Sequence, residues 1–181
     1  MQAARNEVAE YAEAYGWPLI EEMPTNDDRV PEITWRISST VNLHYAEDDA
    51  TGCSYVYVTA GYRDQCQAFC EHAEQHLNFW PREQLLAQYD SSSNAEERAG
   101  MLLMLALAST QRVDTEGQER IMAALRDPAE DVREAAIYAT SYTPDWRYRP
   151  LLESVAESDP VEELRDDARN MLATYDEAGI R

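Results

Sequence analysis

Four side chains able to ligate a metal crowd into one short stretch: Cys66, Cys70, His72 and His76. At about 100° per residue on a helix, Cys66 and Cys70 share one stripe, and His72 and His76 share another about 120° away. One straight helix cannot aim all four at a single ion, and tetrahedral sites usually draw their ligands from two segments. The spacing fits two small core thiols beside a partly exposed His pair, so no metal ligand is assigned. A hydrolytic pair is conceivable at His44 and Ser54, which would face each other across a symmetric hairpin with Cys53 adjacent. Such a pair also needs an orienting third group and an oxyanion site. With six glycines in the chain there is neither a Gly-rich helix start nor a strand–turn–helix nucleophile motif. No catalytic and no cofactor-binding residue is assigned. Acid pairs such as Asp48-Asp49 and Asp166-Asp167 read as solvated turn and helix positions.

Aromatic residues offer a different kind of chemistry. Tyr138, Tyr142, Trp146 and Tyr148 gather around Thr143-Pro144-Asp145, with Arg147 and Arg149 alongside. Large amphipathic rings beside arginine match the composition of protein-interface hot spots. The same rings could instead cover the ends of a helix pair. On the first reading Tyr142, Asp145, Trp146 and Tyr148 are the candidate partner-binding residues. Eleven tyrosines in the chain lean the same way, since a phenol is useful half-buried.

The elements that must position these residues change period along the chain. Gln2 to Tyr15 reads as a helix, with Val8, Tyr11, Ala12 and Tyr15 at helical spacing, ended by Gly16 and Pro18. Glu21 to Glu32, with Pro24, Asn26, Asp27, Asp28 and Pro31, reads as a loop. From Ile33 to Tyr45 apolar residues alternate with polar ones, broken only at Ser39, which predicts a strand. Cys53 to Ala60 predicts an antiparallel return after a polar turn over Ala46 to Gly52. A lone hairpin is unstable, so residues 33–60 need a helix on their apolar face. Arg63 to Asn78 supplies it through Cys66, Phe69, Cys70, Ala73 and Leu77. A short helix follows over Pro81 to Tyr89, and Asp90-Ser91-Ser92-Ser93-Asn94 is the most linker-like run. The expected organisation is an α+β portion over 1–90 and a helical array over 95–175.

The array announces itself by repetition. Asp127-Pro128-Ala129-Glu130-Asp131-Val132-Arg133-Glu134-Ala135-Ala136 returns as Asp159-Pro160-Val161-Glu162-Glu163-Leu164-Arg165-Asp166-Asp167-Ala168, offset by 32 residues. Glu96-Glu97-Arg98 reads as a decayed first copy. A period in this range marks stacked helix pairs, none of which can bury its apolar face alone. Each Asp-Pro is expected to cap a helix with Pro at its first position. Arg98, Arg133 and Arg165 each follow an acid by two residues: Glu96, Asp131 and Glu163. The apolar run Met101 to Ala108 predicts a helix covered on all sides. Partner helices are expected over Thr115 to Leu125 and Arg149 to Glu157, and a terminal helix over Val161 to Tyr175.

In these motifs the C-terminal half resembles the HEAT-like helical repeat family; the N-terminal half shows no such resemblance. The resemblance implies a mainly α (α+β) fold, a short α-solenoid preceded by a helix and a two-stranded hairpin. It implies Arg–acid pairs forming a ladder between repeats, and a habit of binding other macromolecules. Some HEAT-like proteins are instead lyases or chaperones that load a tetrapyrrole onto another protein, for which Cys53 could supply a thiol. No cofactor is assigned.

Charge narrows the partner. Thirty-five acids stand against fifteen bases, all arginine, for a formal net charge of -20. A high-GC or high-salt background would also produce this balance. Helical-repeat proteins that bind nucleic acid need a basic face to neutralise phosphate, so DNA and RNA are excluded as expected partners. A basic protein is the electrostatic complement. Within that class, neutralisation of a basic toxin or nuclease, as by an immunity protein or antitoxin, is the sharpest candidate. The longest apolar run is far short of the roughly 20 residues needed to span a bilayer. Three cysteines, an odd count with no secretory leader pattern, suit a reduced cytoplasmic protein.

Overall fold

The computed structural model describes residues 2–23, 31–48, 52–109 and 114–181. The chain divides into two compact units, Met1–Phe79 and Trp80–Arg181. Among the described residues are eight α-helices and one four-stranded antiparallel sheet, so the fold is mainly α with a β part.

The first unit opens with α1 (Gln2–Ala14), whose last turn is closed by Gly16 at a φ of 68°. That left-handed conformation favours glycine, and it lets the Trp17 amide donate to the Ala12 carbonyl at 2.9 Å. Four strands follow in meander order: β1 (Leu19–Met23), β2 (Glu32–Ser38), β3 (Val41–Asp48) and β4 (Cys53–Ala60). Helix α2 (Arg63–His76) completes the unit.

Two expectations are corrected here. The single strand from Ile33 to Tyr45 is a hairpin that turns at Ser39-Thr40, the point where the alternation broke. In its register Ile33 faces Tyr45 and Trp35 faces Leu43, so odd positions of both strands share one face. Alternation therefore continues through the turn, and periodicity alone cannot distinguish this hairpin from one long strand. A register shift between Arg36 and Ser38 accommodates the two-residue turn. The loop expected over Glu21 to Glu32 also changes: Glu21, Glu22 and Met23 belong to β1 and Glu32 to β2. Its Pro24, Asn26, Asp27 and Asp28 lie outside the described residues. Adjacent glutamates hide the strand pattern of β1, and pairing with β2 is what makes it a strand.

In the β3–β4 pair the parity switches, with Leu43 opposite Val58 and Tyr45 opposite Val56. One face thus presents Ile33, Trp35, Val41, Leu43, Tyr45 and Val58 to a core shared with α1 and α2. The expected α2 stripe is there: Ala73 and Leu77 are buried, and Cys66, Phe69 and Cys70 pack against the same cluster.

The second unit comprises α3 (Arg82–Ser91), α4 (Ala95–Ala108), α5 (Thr115–Ala124), α6 (Glu130–Tyr142), a 3-10 turn (Trp146–Tyr148), α7 (Arg149–Ser158) and α8 (Glu162–Glu177). Helix α6 lies against α4 and α8, α7 against α8, and α3 against α4. A core runs through them from Leu102 and Ile121, by way of Val132 and Leu152, to Leu164 and Tyr175. The apolar run of α4 is not covered on all sides. Leu102, Leu105 and Ala106 are buried, Met101, Leu103 and Met104 are half-buried, and Ala108 is exposed.

The face assignment is testable by denaturant unfolding. Trp35→Ala removes a buried ring and should cost about 3–5 kcal/mol, whereas the exposed Arg36→Ala should change stability by no more than about 0.5 kcal/mol.

Candidate functional site

The surface of the array depends on how each helix is started and tied to the next. Asp127 and Asp159 do not cap with proline at the first helical position. Each carboxylate accepts the amide two residues on, Ala129 at 2.9 Å and Val161 at 3.0 Å, and the helices begin at Glu130 and Glu162. The Asp-Pro is thus an Asx turn leading into the helix.

The recurring arginines pair differently from the sequence expectation as well. Arg98 donates to both oxygens of Asp127 at 3.0 Å. Arg133 donates from Nε and Nη2 to Asp159 at 2.6 and 3.0 Å, and from Nη1 to the carbonyls of Asp127 and Pro128. Each arginine therefore holds the aspartate that starts the following repeat, not the acid two residues before it. The planar guanidinium makes both contacts possible, because one edge forks onto a carboxylate while another reaches carbonyls. The Arg133–Asp159 side chains are only 9% and 3% exposed. Direct hydrogen bonds to Arg133 outweigh burial and hold the Asp159 carboxyl below its ordinary range. Arg165 repeats the carbonyl contact, with Nη1 donating to the Asp159 carbonyl at 2.6 Å.

A second polar anchor, with no counterpart in the sequence reading, sits at the start of α5. Asp114 is buried, bonded to Arg82 through both oxygens, to the Ser109 hydroxyl at 2.6 Å and to the Gly117 amide at 2.9 Å. Burial by itself raises the Asp114 pKa, but these donors together pull it down to about 2. A Cβ on Gly117 would lie 2.6 Å from the Asp114 carboxylate, so any larger residue there would push that carboxylate away from its donors.

The aromatic turn between α6 and α7 is built on its own polar clasp. The Asp145 carboxylate accepts the Arg147 amide at 2.9 Å and its guanidinium at 2.8 Å, and Arg147 also reaches Gln118. These bonds, the Arg147 guanidinium foremost, hold the Asp145 carboxyl below the ordinary range. Asp145 is therefore engaged in shaping the turn. The resulting 3-10 turn points Tyr148 inward, 1% exposed, and burial raises its phenol pKa to about 12. The expected role of Tyr148 as an exposed contact is thus corrected; its ring belongs to the core of the array. Tyr142 is half-buried against that core. Trp146 alone of the four is well exposed, at 62%, and Tyr138 on α6 is exposed at 43%. On α6 the exposed residues Glu130, Asp131, Glu134, Tyr138 and Ser141 fall at helical spacing, an acidic stripe with one ring.

The other candidates sit in the first unit. His72 and His76 stack at 4.2 Å and bond to the hydroxyls of Tyr11 at 2.6 Å and Tyr15 at 2.9 Å, joining α2 to α1. Cys66 donates to the Val58 carbonyl. Ser54 pairs with Glu47, not with His44, whose register partner is Tyr57. Cys53, half-buried at the start of β4, is in no disulfide.

The second unit is a stack of helices joined by an Arg–Asp ladder, an α-solenoid of protein-interaction type. The model of the family described as HEAT repeats matches residues 82–173, just over half of the chain. The chain belongs to the HEAT-repeat family. No curated protein and no solved structure matches it. No helix among the described residues is long and apolar enough to cross a membrane.

Three outcomes follow from the ladder and the Asp114 anchor. Arg133→Ala strands Asp159 in the interior and should destabilise by about 3–5 kcal/mol, with a distinctly smaller melting shift for Arg147→Ala. Gly117→Ala should lower the melting temperature, although alanine is ordinarily the better helix former by about 1 kcal/mol. Because the folded Asp114 pKa lies below its ordinary 3.8, its contribution is present above that pH and is lost as pH falls toward 2. Urea midpoints measured across that window should fall with acidification, and less steeply in Asp114→Asn.

Proposed function

We propose that the helical array, residues Trp80–Arg181, is a non-enzymatic binding module whose partner is a basic protein, neutralised in the manner of an immunity protein or antitoxin. The observation that carries this reading is Trp146, an exposed indole on a clasped turn of a chain with a formal net charge of -20. A turn clasped before binding loses little freedom on contact, which favours affinity. Exposed acids, including Asp131 and Glu134 on α6, would steer a basic partner into encounter, and the desolvated ring would hold it.

The test is capture of partners from native extract by the tagged full chain, followed by binding kinetics with the captured protein. The complex should weaken steeply with salt, since the screening length is about 10 Å at 0.1 M. Trp146→Ala should raise the dissociation rate by about tenfold or more, equivalent to about 1.4 kcal/mol. Glu134→Gln should mainly slow association. Capture of no basic protein, or of one whose binding ignores salt, would overturn the reading.

A further inference from the structure

The first unit lies outside the family match, and the face of its sheet turned away from the core carries an ordered set of reactive groups. His44 on β3 is held at both ring nitrogens. Nδ1 stands 2.7 Å from the Glu32 carboxylate on β2, and Nε2 stands 2.8 Å from the Thr59 hydroxyl on β4. A carboxylate can only accept, so Nδ1 carries a proton. In the neutral imidazole Nε2 is then the acceptor, and the Thr59 hydroxyl donates to it. Hydroxyl, imidazole and carboxylate thus form a nucleophile–base–orienter chain.

The surroundings fix this chain in place. The Tyr57 ring stacks on His44 at 4.4 Å and 8°, while its hydroxyl donates to the same Glu32 oxygen at 2.8 Å. Thr34 adds a contact to His44 Nδ1 at 3.2 Å. Burial, followed by the Glu32 hydrogen bond, raises the Tyr57 pKa, so the phenol stays a donor. Glu32 and His44 side chains are 18% and 12% exposed, whereas Thr59 is exposed at the end of the chain where a substrate can reach it.

Next to Thr59 the register sets a rank of three residues across the sheet, Arg36–Asn42–Thr59. Arg36 is exposed, and among the described residues its guanidinium has no hydrogen-bond or ion-pair partner. An exposed arginine in so acidic a chain is a ready anchor for an anionic group, and the Asn42 carboxamide is a neutral donor between it and the nucleophile.

From this geometry we propose that Thr59 is an acyl-accepting nucleophile, activated by His44, for carboxylic esters bearing an anionic group. The Thr59 oxygen bonds to the ester carbonyl carbon as its proton passes to His44 Nε2. Collapse of the tetrahedral adduct breaks the bond to the leaving alkoxide, which takes that proton. Water then attacks the threonine ester with His44 again as base, releasing the acid and restoring the hydroxyl. Glu32 and Tyr57 act as positioning residues, holding the tautomer and the ring. Nothing is oxidised or reduced.

The absence of lysine makes the test unusually clean, because no ε-amine competes for an acyl probe. The full chain is incubated with p-nitrophenyl hemisuccinate and, separately, p-nitrophenyl acetate, following nitrophenolate release and mapping acylated peptides by mass spectrometry. The expected result is one acyl group on Thr59, absent in Thr59→Val and formed about a hundredfold more slowly in His44→Gln. Glu32→Gln should slow acylation about tenfold or more and move the midpoint of its pH profile, which a purely structural role would not do. Arg36→Ala should abolish the preference for the hemisuccinate. Wild-type protein that shows neither an acyl group on Thr59 nor nitrophenolate release above the rate in buffer overturns the proposal whether or not the variants fold. Equal acylation rates in wild type and a folded His44→Gln overturn it as well.

Discussion

The array stands on one repeated interaction, an arginine that closes its own repeat and opens the next. Arg133 binds the carbonyls of Asp127 and Pro128 behind it and the carboxylate of Asp159 ahead of it, while that carboxylate accepts the Val161 amide in the Asx turn that leads into α8. Helix start and repeat stacking are therefore one event: the acceptor that begins a helix is the group that holds the preceding arginine. A buried ion pair is weak evidence of stability, since desolvation offsets much of its attraction. Its consequence here is registry. Apolar packing of α4, α6 and α8 would tolerate sliding, but a forked, fully bonded guanidinium fits one position only.

That fixed scaffold is what gives the aromatic turn its character. Asp145 and Arg147 cancel each other locally, so the turn contributes little net charge, and it directs one ring inward and another outward. Tyr148 fills the core and Trp146 faces solvent, two residues apart in a 3-10 turn. Charge on this protein is spread over helix surfaces such as α6, whereas the exposed Trp146 indole sits on a neutral clasp. On the binding role proposed above, long-range attraction and short-range contact would fall to different residues, the division expected when charge governs encounter and desolvated rings govern residence.

The sheet of the first unit separates its duties by face. Its odd–odd register in β2–β3 and odd–even register in β3–β4 send the aliphatic residues to the helices and gather Glu32, Thr34, His44, Tyr57 and Thr59 on the other side. Ala46, small and buried, lies in the rank between Glu32 and Tyr55. The polar side is a bonded network and not a merely solvated surface, with His44 engaged at each nitrogen and on a ring face.

The sequence by itself determined the repeat architecture, because a 32-residue recurrence of Asp-Pro, aliphatic and arginine reflects a constraint that is local to each unit. It also determined the helix spans and the buried stripe of α2, since a 3.6-residue period survives whatever the neighbours are. Only tertiary structure decided the rest. The ladder joins residues about one repeat apart, so the nearest acid in sequence was the wrong partner for Arg133. Trp146 and Tyr148 have equivalent composition, and only the clasp of Asp145 on Arg147 sorts inside from outside. The hairpin at Ser39-Thr40 was invisible because a paired register of even sum preserves alternation. The Thr59–His44–Glu32 chain draws one residue from each of three strands, a meeting that no spacing within one segment encodes; it exists because pairing registers, set by the buried face, bring the opposite face into line.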